Sequence, residues 1–296
     1  MIEIIKKIIK LKIGVEMGKL KSKNFDDVIY YNDIPYYNRD NKKLLMDIFE
    51  PKKLKGKDLP VVVVIHGGGL VLGNKNISRR FCENLSRKGY LVFSLEYRLV
   101  PVVNIYEQLD DICAGMDCVG KQLVNFDVDF NRIHLAADSA GAYLSVYVAS
   151  MKQSKRLQNV IGLEPSKMRF SSICMISGMF YAIKKDLIGL ILAKYIYGKK
   201  YKIGHILPYA NPGNKEIIKN LPPTYLVTSK SDFLRRHTLK FYNELKKNNM
   251  ECDLLYYGKN KDLTHSFTVV KPDLKESDEV INKMTAWFEN HKRSDK

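Results

Sequence analysis

Six short apolar runs, at residues 61–65, 90–95, 132–136, 172–177, 223–228 and 252–257, recur along the chain, and stretches of helix length separate most of them. The first reads Val61-Val62-Val63-Val64-Ile65, with no polar residue to turn toward water. Side chains alternate faces along a strand, so an unbroken apolar run needs cover on both faces. The stretches at 78–88, 106–122, 140–153, 234–248 and 275–290 read as the helices that supply it. Strands alternating with helices predict an α/β fold around a mostly parallel, doubly wound sheet. Val28 to Tyr31 and Lys43 to Phe49 predict an antiparallel hairpin at one edge.

Two segments stand outside this alternation. Ile2, Ile5, Ile9 and Ile13 recur at helical spacing among lysines, which predicts a basic amphipathic helix at the N-terminus. Residues 179–220 are too long an excursion between strands to be loose, and they carry aliphatic and aromatic residues without chemistry of their own. Both, about 1–24 and 179–220, are expected to form a helical lid on one domain spanning residues 1–296.

Composition narrows the partners. The run Val61 to Ile65 falls far short of the roughly 20 apolar residues that span a bilayer. Lysines interrupt the N-terminal isoleucines and no small-residue cleavage site follows, so no secretory signal is expected. The five cysteines lack CxxC or Cys/His spacing and read as reduced thiols of a cytoplasmic protein, with no metal and no cofactor. A net charge of +17 invites nucleic acid, yet lysine far outnumbers arginine and is scattered rather than striped, so no nucleic-acid partner is expected. Weak peripheral contact of the basic N-terminal helix with a membrane, and a homodimer, stay open as partner readings.

The chemistry sits at strand ends. The run at 132–136 leads through Ala137 and Asp138 to Ser139, Ala140 and Gly141, and the run at 61–65 leads into His66-Gly67-Gly68-Gly69. Small residues there suit a serine held on a sharp strand-to-helix turn beside free backbone amides, the device of an α/β-hydrolase. A serine hydroxyl needs a base to take its proton, and a histidine base needs a carboxylate to orient it. Downstream, one strand runs into Asp232 and the next into His265, in the chain order that this fold uses. Asp262 stands three residues before His265 on the same loop, and His66, His134, His205 and His237 occupy positions less suited to a base.

Taken together, these segments resemble the hormone-sensitive-lipase-like branch of the α/β-hydrolases, which includes bacterial acetyl esterases and carboxylesterases, over roughly residues 45–290. The resemblance rests on His66 to Gly69, Tyr97-Arg98-Leu99-Val100-Pro101 with Asp110-Asp111, Asp138 to Gly141, Leu221-Pro222-Pro223, Asp232-Phe233-Leu234 and His265-Ser266-Phe267. It implies Ser139 as nucleophile, His265 as general base and then acid, Asp232 as orienting carboxylate, and the amides of Gly67, Gly68 and Ala140 as the oxyanion hole. His66, Gly69, Asp138 and Gly141 support the motif, and Arg98 reads as scaffolding. Ala137 and Ala142 stand where the branch has glycine, Leu70 where an aromatic is common, and Ile105-Tyr106 where Phe-Pro is usual.

The expectation is therefore a serine hydrolase that cleaves short-chain acyl esters through an acyl-enzyme, with a small-molecule ester as its partner. Two other classes use the same scaffold. One is a lipase or phospholipase working at a membrane surface; the other is a ligand-binding protein that has lost hydrolysis.

Overall fold

The computed structural model describes residues 24–39, 42–182 and 205–293, together with Glu3, Lys6, Lys7, Ala193 and residues 195–198. The lid expected over 1–24 lies outside the described residues apart from its helical Glu3, Lys6 and Lys7 and the final Asn24, and much of the 183–204 stretch lies outside them too.

The apolar runs become strands. The chain forms β1 (Val28–Arg39), β2 (Lys42–Pro51), β3 (Leu59–Ile65), β4 (Leu91–Leu95), β5 (Val128–Asp138), β6 (Ser172–Ile176), β7 (Thr224–Ser229) and β8 (Cys252–Tyr257). They join in one eight-stranded sheet of order β1-β2-β4-β3-β5-β6-β7-β8. β1 pairs antiparallel with β2, and β2 antiparallel with β4, while every later pairing is parallel. The edge hairpin and the parallel body both agree with the apolar patterning.

Between the strands lie α1 (Arg79–Arg87), α2 (Ile105–Gln122), α3 (Ser139–Met151), α4 (Lys155–Ile161), α5 (Lys215–Ile218) and α6 (Arg235–Lys247), and α7 (Phe267–Val270) and α8 (Lys275–Asn290) follow β8. Alternate strand residues feed two separate cores. Val61, Val63, Ile65, Leu135 and Met175 pack with α2, α3 and α6, through side chains such as Ile112, Leu144 and Phe241. Val62, Val64, Ala136, Cys174 and Val227 pack on the opposite face with α1 and α8, through Phe81, Leu85, Ile281 and Phe288. The inner strands β3, β4, β6 and β7 are buried on both sides and so have two covers, whereas β8, at the sheet edge, has no fully buried residue although its run was expected to be covered on both faces. Every residue of α3 is buried, as its unbroken apolar and small composition requires.

Helix starts follow local chemistry. Asn104 caps α2: its side chain accepts from the amides of Tyr106 and Glu107, and Glu107 accepts in return from the Asn104 amide. This capping box starts the helix where the branch uses Phe-Pro. Ser154 caps α4 by accepting from the Leu157 amide; α4 is a short helix that apolar patterning alone does not mark.

The strand order sets the site. From β3 the chain moves outward to β4, then returns past β3 to β5, so the loops after β3 and β5 leave neighbouring strands on opposite excursions. Ligand crevices in open α/β sheets form at such a switch point, beyond the carboxyl ends of the strands. Ile65 pairs with Ala137 in register, which brings the glycine run beside Ser139.

Candidate active site

β5 passes into α3 with no connecting residue, since Asp138 ends the strand and Ser139 begins the helix. The price of that abrupt turn is a φ of +50° at Ser139. The left-handed region costs a residue with a Cβ about 1–2 kcal/mol. Strain of this kind persists where the surroundings over-determine it. Close packing at Gly141 is part of those surroundings: a Cβ there would lie 2.2 Å from the Ile65 carbonyl oxygen and 2.6 Å from that of His66. Ala137 fits because it lies within the sheet, paired to Ile65 and Met175, with its methyl in the core. Ala142 is likewise buried in that core.

His265 joins the other two residues of the expected triad. Its Nε2 lies 2.9 Å from Ser139 Oγ and its Nδ1 lies 2.7 Å from Asp232 Oδ1. With the carboxylate at Nδ1, the neutral imidazole carries its proton there and turns the Nε2 lone pair toward the serine hydroxyl. All three residues are buried. Burial alone would raise the Asp232 carboxyl, but the hydrogen bond and charge of His265, the Leu234 amide and the Thr228 hydroxyl together hold it below its ordinary value. Leu234 N–H donates to Oδ1 and Thr228 Oγ1 to Oδ2, each at 2.8 Å. β6 separates the strand that ends at Asp138, before Ser139, from β7, before Asp232, and the loop after β8 crosses back over this gap. The Ser266 amide donates to Ser177 Oγ at the end of β6, and the Ser229 hydroxyl donates to the Leu263 carbonyl. Phe233, 44% exposed, sets its ring 4.3 Å from that of His265.

The rival side chains are occupied elsewhere. Asp262 is exposed, and His265 Nδ1 takes Asp232 instead. His134 Nδ1 lies 2.9 Å from Ser172 Oγ, but its ring stacks on Phe288 and burial pushes its pKa down to about 3, so this Ser/His pair belongs to the core. His237 Nδ1 accepts from the Tyr181 amide, and His205 is exposed. His66 is buried, stacked 4.3 Å from the Tyr97 ring.

The glycine run departs from expectation in one respect. The Gly67 amide, expected in the oxyanion hole, donates instead to Asp138 Oδ1 at 2.8 Å. Its role is to lash the glycine loop to the elbow, and a Cβ at Gly67 would fall 2.5 Å from Asp138 Oδ2 and 3.0 Å from Ser139 Cβ. Burial raises the Asp138 carboxyl, while the charge of His265 and the Gly67 amide oppose that rise. The amides of Gly68, Gly69 and Ala140 make no hydrogen bond to the described residues. Gly68 and Gly69 have φ of +116° and +65°, and a Cβ on Gly68 would lie 2.0 Å from the Leu72 carbonyl oxygen. Ala140 stands in the first turn of α3, whose amides have no partner within the helix. The identity of the lashed amide depends on the side-chain direction of Asp138, which no motif records.

Behind this loop lies the Tyr97 to Pro101 segment. Tyr97 hydroxyl donates to the His66 carbonyl at 2.8 Å, and Gln108 Nε2 donates to the carbonyls of Leu70 and Arg98. Arg98 is buried and pairs with Asp111 through both its side chain and its amide, which bears out its reading as scaffolding. On the other side of α3, the described part of the 179–220 segment docks through hydroxyls. Tyr143 bonds Tyr197 and donates to the Ala210 carbonyl, and Tyr147 donates to the Tyr209 carbonyl. Among the described residues no three His, Cys, Asp or Glu side chains gather as a metal site.

Comparison with known proteins places this geometry. A family model described as the alpha/beta hydrolase fold matches residues 62–269. Carboxylesterase NlhH of Mycobacterium tuberculosis is 30% identical over 60% of this chain and 58% of its own length. The probable isoprenylcysteine alpha-carbonyl methylesterase ICMEL1 of Arabidopsis thaliana is 24% identical over 69% of this chain, and the chain spans only 46% of that protein. Esterase B of Lactobacillus rhamnosis, in a structure inhibited by a C4-C4 tributyrin phosphonate, superposes with a TM-score of 0.84 at 22% identity, covering 97% of this chain and 92% of that one. No helix among the described residues is long and apolar enough to cross a membrane. With the family model matched over residues 62–269, most of its length, the chain belongs to the α/β-hydrolase family, in its hormone-sensitive-lipase-like branch.

Proposed function

We propose that this chain is a serine ester hydrolase acting on short-chain acyl esters through a covalent acyl-enzyme. The observation that carries the reading is His265, bridging Ser139 Oγ at 2.9 Å and Asp232 Oδ1 at 2.7 Å within a buried corner. In the proposed reaction His265 Nε2 takes the Ser139 proton as Oγ attacks the ester carbonyl. The carbonyl π electrons move onto oxygen, and that oxyanion is held by the amides of Gly68, Gly69 and Ala140. Asp232 stabilises the imidazolium and keeps Nδ1 protonated. Collapse of the tetrahedral intermediate expels the alcohol, which receives the proton from Nε2. Water then attacks the acyl-enzyme by the same sequence, returning the acid and free Ser139. One donor in such a hole is worth about 3 kcal/mol in the transition state.

Carboxylesterase activity in a relative, and inhibition of a structural neighbour by a C4 phosphonate, agree with an ester substrate of modest acyl length. The test is hydrolysis of p-nitrophenyl esters from acetyl to long acyl, wild type beside Ser139→Ala. Turnover of the short esters that disappears in the variant is expected. A folded wild type inert across the series would sink the esterase reading and favour ligand binding, whereas preference for the longest chains at a vesicle surface would favour a lipase.

A further inference from the structure

At the far end of α3 from Ser139 lies a second concavity. It has a volume of about 450 Å³ and is lined by Met116, Val148, Lys152, Arg169, Lys219 and Arg293, with Met168, Phe170 and Leu221 extending its apolar wall. Cavities of this size hold small molecules. Positions 148–152 stand roughly 14–20 Å along the helix from Ser139, at about 1.5 Å per residue. This cavity is therefore separate from the catalytic corner.

Its charge is one-sided. Four cationic side chains line it and no aspartate or glutamate does. Lys152, Arg169 and Lys219 form no ion pair among the described residues. Lys152 Nζ donates to the Ser166 carbonyl at 3.0 Å. Burial, followed by the charges of Arg169 and Lys167, lowers its pKa against the opposing pull of Asp117. Asp117 does not pair with Lys152; its Oδ1 accepts from the Ser166 hydroxyl and the Lys167 amide. The Arg293 guanidinium donates to the backbone carbonyls of Arg169 and Phe130, which braces the strand entry where Arg169 sits. The chain is basic overall, but a basic surface alone does not combine a concave wall, an apolar lining and the absence of any lining carboxylate.

We infer that this cavity binds a small organic anion, its charged group on Lys152, Arg169 and Lys219 and its apolar body on Met168, Phe170 and Leu221. These cations repel one another, Asp117 offsets that only in part, and an anionic group relieves the rest. Guanidinium and ammonium groups together suit a phosphate ester or a carboxylate. The apolar wall excludes a purely inorganic ion as the best occupant, because that wall would stay in contact with water.

Titration calorimetry with phenyl phosphate, inorganic phosphate and phenol tests both halves of the site. One saturable phenyl phosphate site is expected, at least fivefold tighter than inorganic phosphate or phenol. It should weaken at least tenfold in Lys152→Met/Arg169→Gln while p-nitrophenyl acetate turnover stays within about twofold of wild type. Equal binding of inorganic phosphate overturns the apolar half, and equal binding of phenol overturns the anionic half. Unchanged phenyl phosphate affinity in the double variant overturns the location. A readout in unmutated protein stands if that variant fails to fold: phenyl phosphate should slow reductive methylation of Lys152, followed by peptide mass spectrometry, and an unchanged rate counts against the site. Neither measurement depends on ester turnover by Ser139.

Discussion

Helix α3 separates two clusters that present positive charge with different materials. At its N-terminal end, Ser139 takes a φ of +50° and its neighbours supply unpaired amides from Gly68, Gly69 and Ala140. At its C-terminal end, Lys152 follows the last turn and three further cations crowd a cavity. The first cluster is made of backbone groups, fixed by strand register and glycine sterics. The second is made of long side chains, at least two of them exposed, on separate segments. Backbone donors cannot be moved without moving the fold, so they suit a transition state that tolerates little displacement. Long side chains adapt, and they suit binding of a ground-state ligand.

The comparison breaks most visibly at Ser139. Ser139→Ala should lower kcat for p-nitrophenyl acetate by about 10⁶-fold, with the far-UV circular dichroism spectrum of wild type. Ser139→Gly should be as inactive yet about 1 kcal/mol more stable than Ser139→Ala in urea denaturation, because glycine accepts the left-handed φ without cost. Equal stability of the two would show that the turn stores no strain at that residue.

Next in size is Asp232→Asn, for which a loss of about 10⁴-fold in kcat is expected from misdirection of the imidazole proton. It also reports on pH. The folded Asp232 carboxyl lies below its ordinary value, so its stabilising contribution is complete above the unfolded carboxylate value near about 4 and is lost as pH falls through the lower folded value. Between about pH 5 and pH 2 the thermal midpoint of wild type should therefore drop more steeply than that of the variant. Asp138 runs the other way: burial raises it, so its charged form is a liability at neutral pH that acid removes.

A third pair of variants separates donor from lash. Gly68→Ala places a Cβ against the Leu72 carbonyl and should cost about 10²–10³-fold in kcat by displacing oxyanion donors. Asp138→Ala frees the Gly67 amide and should cost about 10-fold to 100-fold, whereas Asp138→Asn keeps an acceptor there and should recover most of that loss. If Asp138→Asn is as impaired as Asp138→Ala, the carboxylate charge, rather than the lash, is what the site uses. The smallest effect belongs to the other end: Lys152→Met should leave ester turnover unchanged and raise the thermal midpoint slightly, since it removes a cation whose charged form the fold disfavours.

Much of this was legible residue by residue. Val61 to Ile65 read as a doubly covered strand, and the helix expected over 106–122 is α2 to within a residue at its start. Ser139, Asp232 and His265 could be chosen because each follows an apolar run, and the structure brings those three into contact. Short helices such as α4 and α7 carry too few residues for an apolar period to show. Gly67 was misplaced for a different reason: three consecutive glycines look alike in sequence, and only the direction of the Asp138 side chain decides which amide is taken. The cavity below α3 was invisible because its cations come from positions as far apart as Lys152, Lys219 and Arg293.

The amino-acid sequence by itself therefore determined the layered α/β architecture and the strand ends that carry Ser139, Asp232 and His265, because apolar runs and their spacing are set by neighbours along the chain. Only the tertiary structure decided which glycine amides stay free, which histidine meets both Ser139 and Asp232, and where the surplus positive charge collects. Those outcomes are settled by distances between residues remote in sequence, and such distances exist only once the sheet has set its order and register.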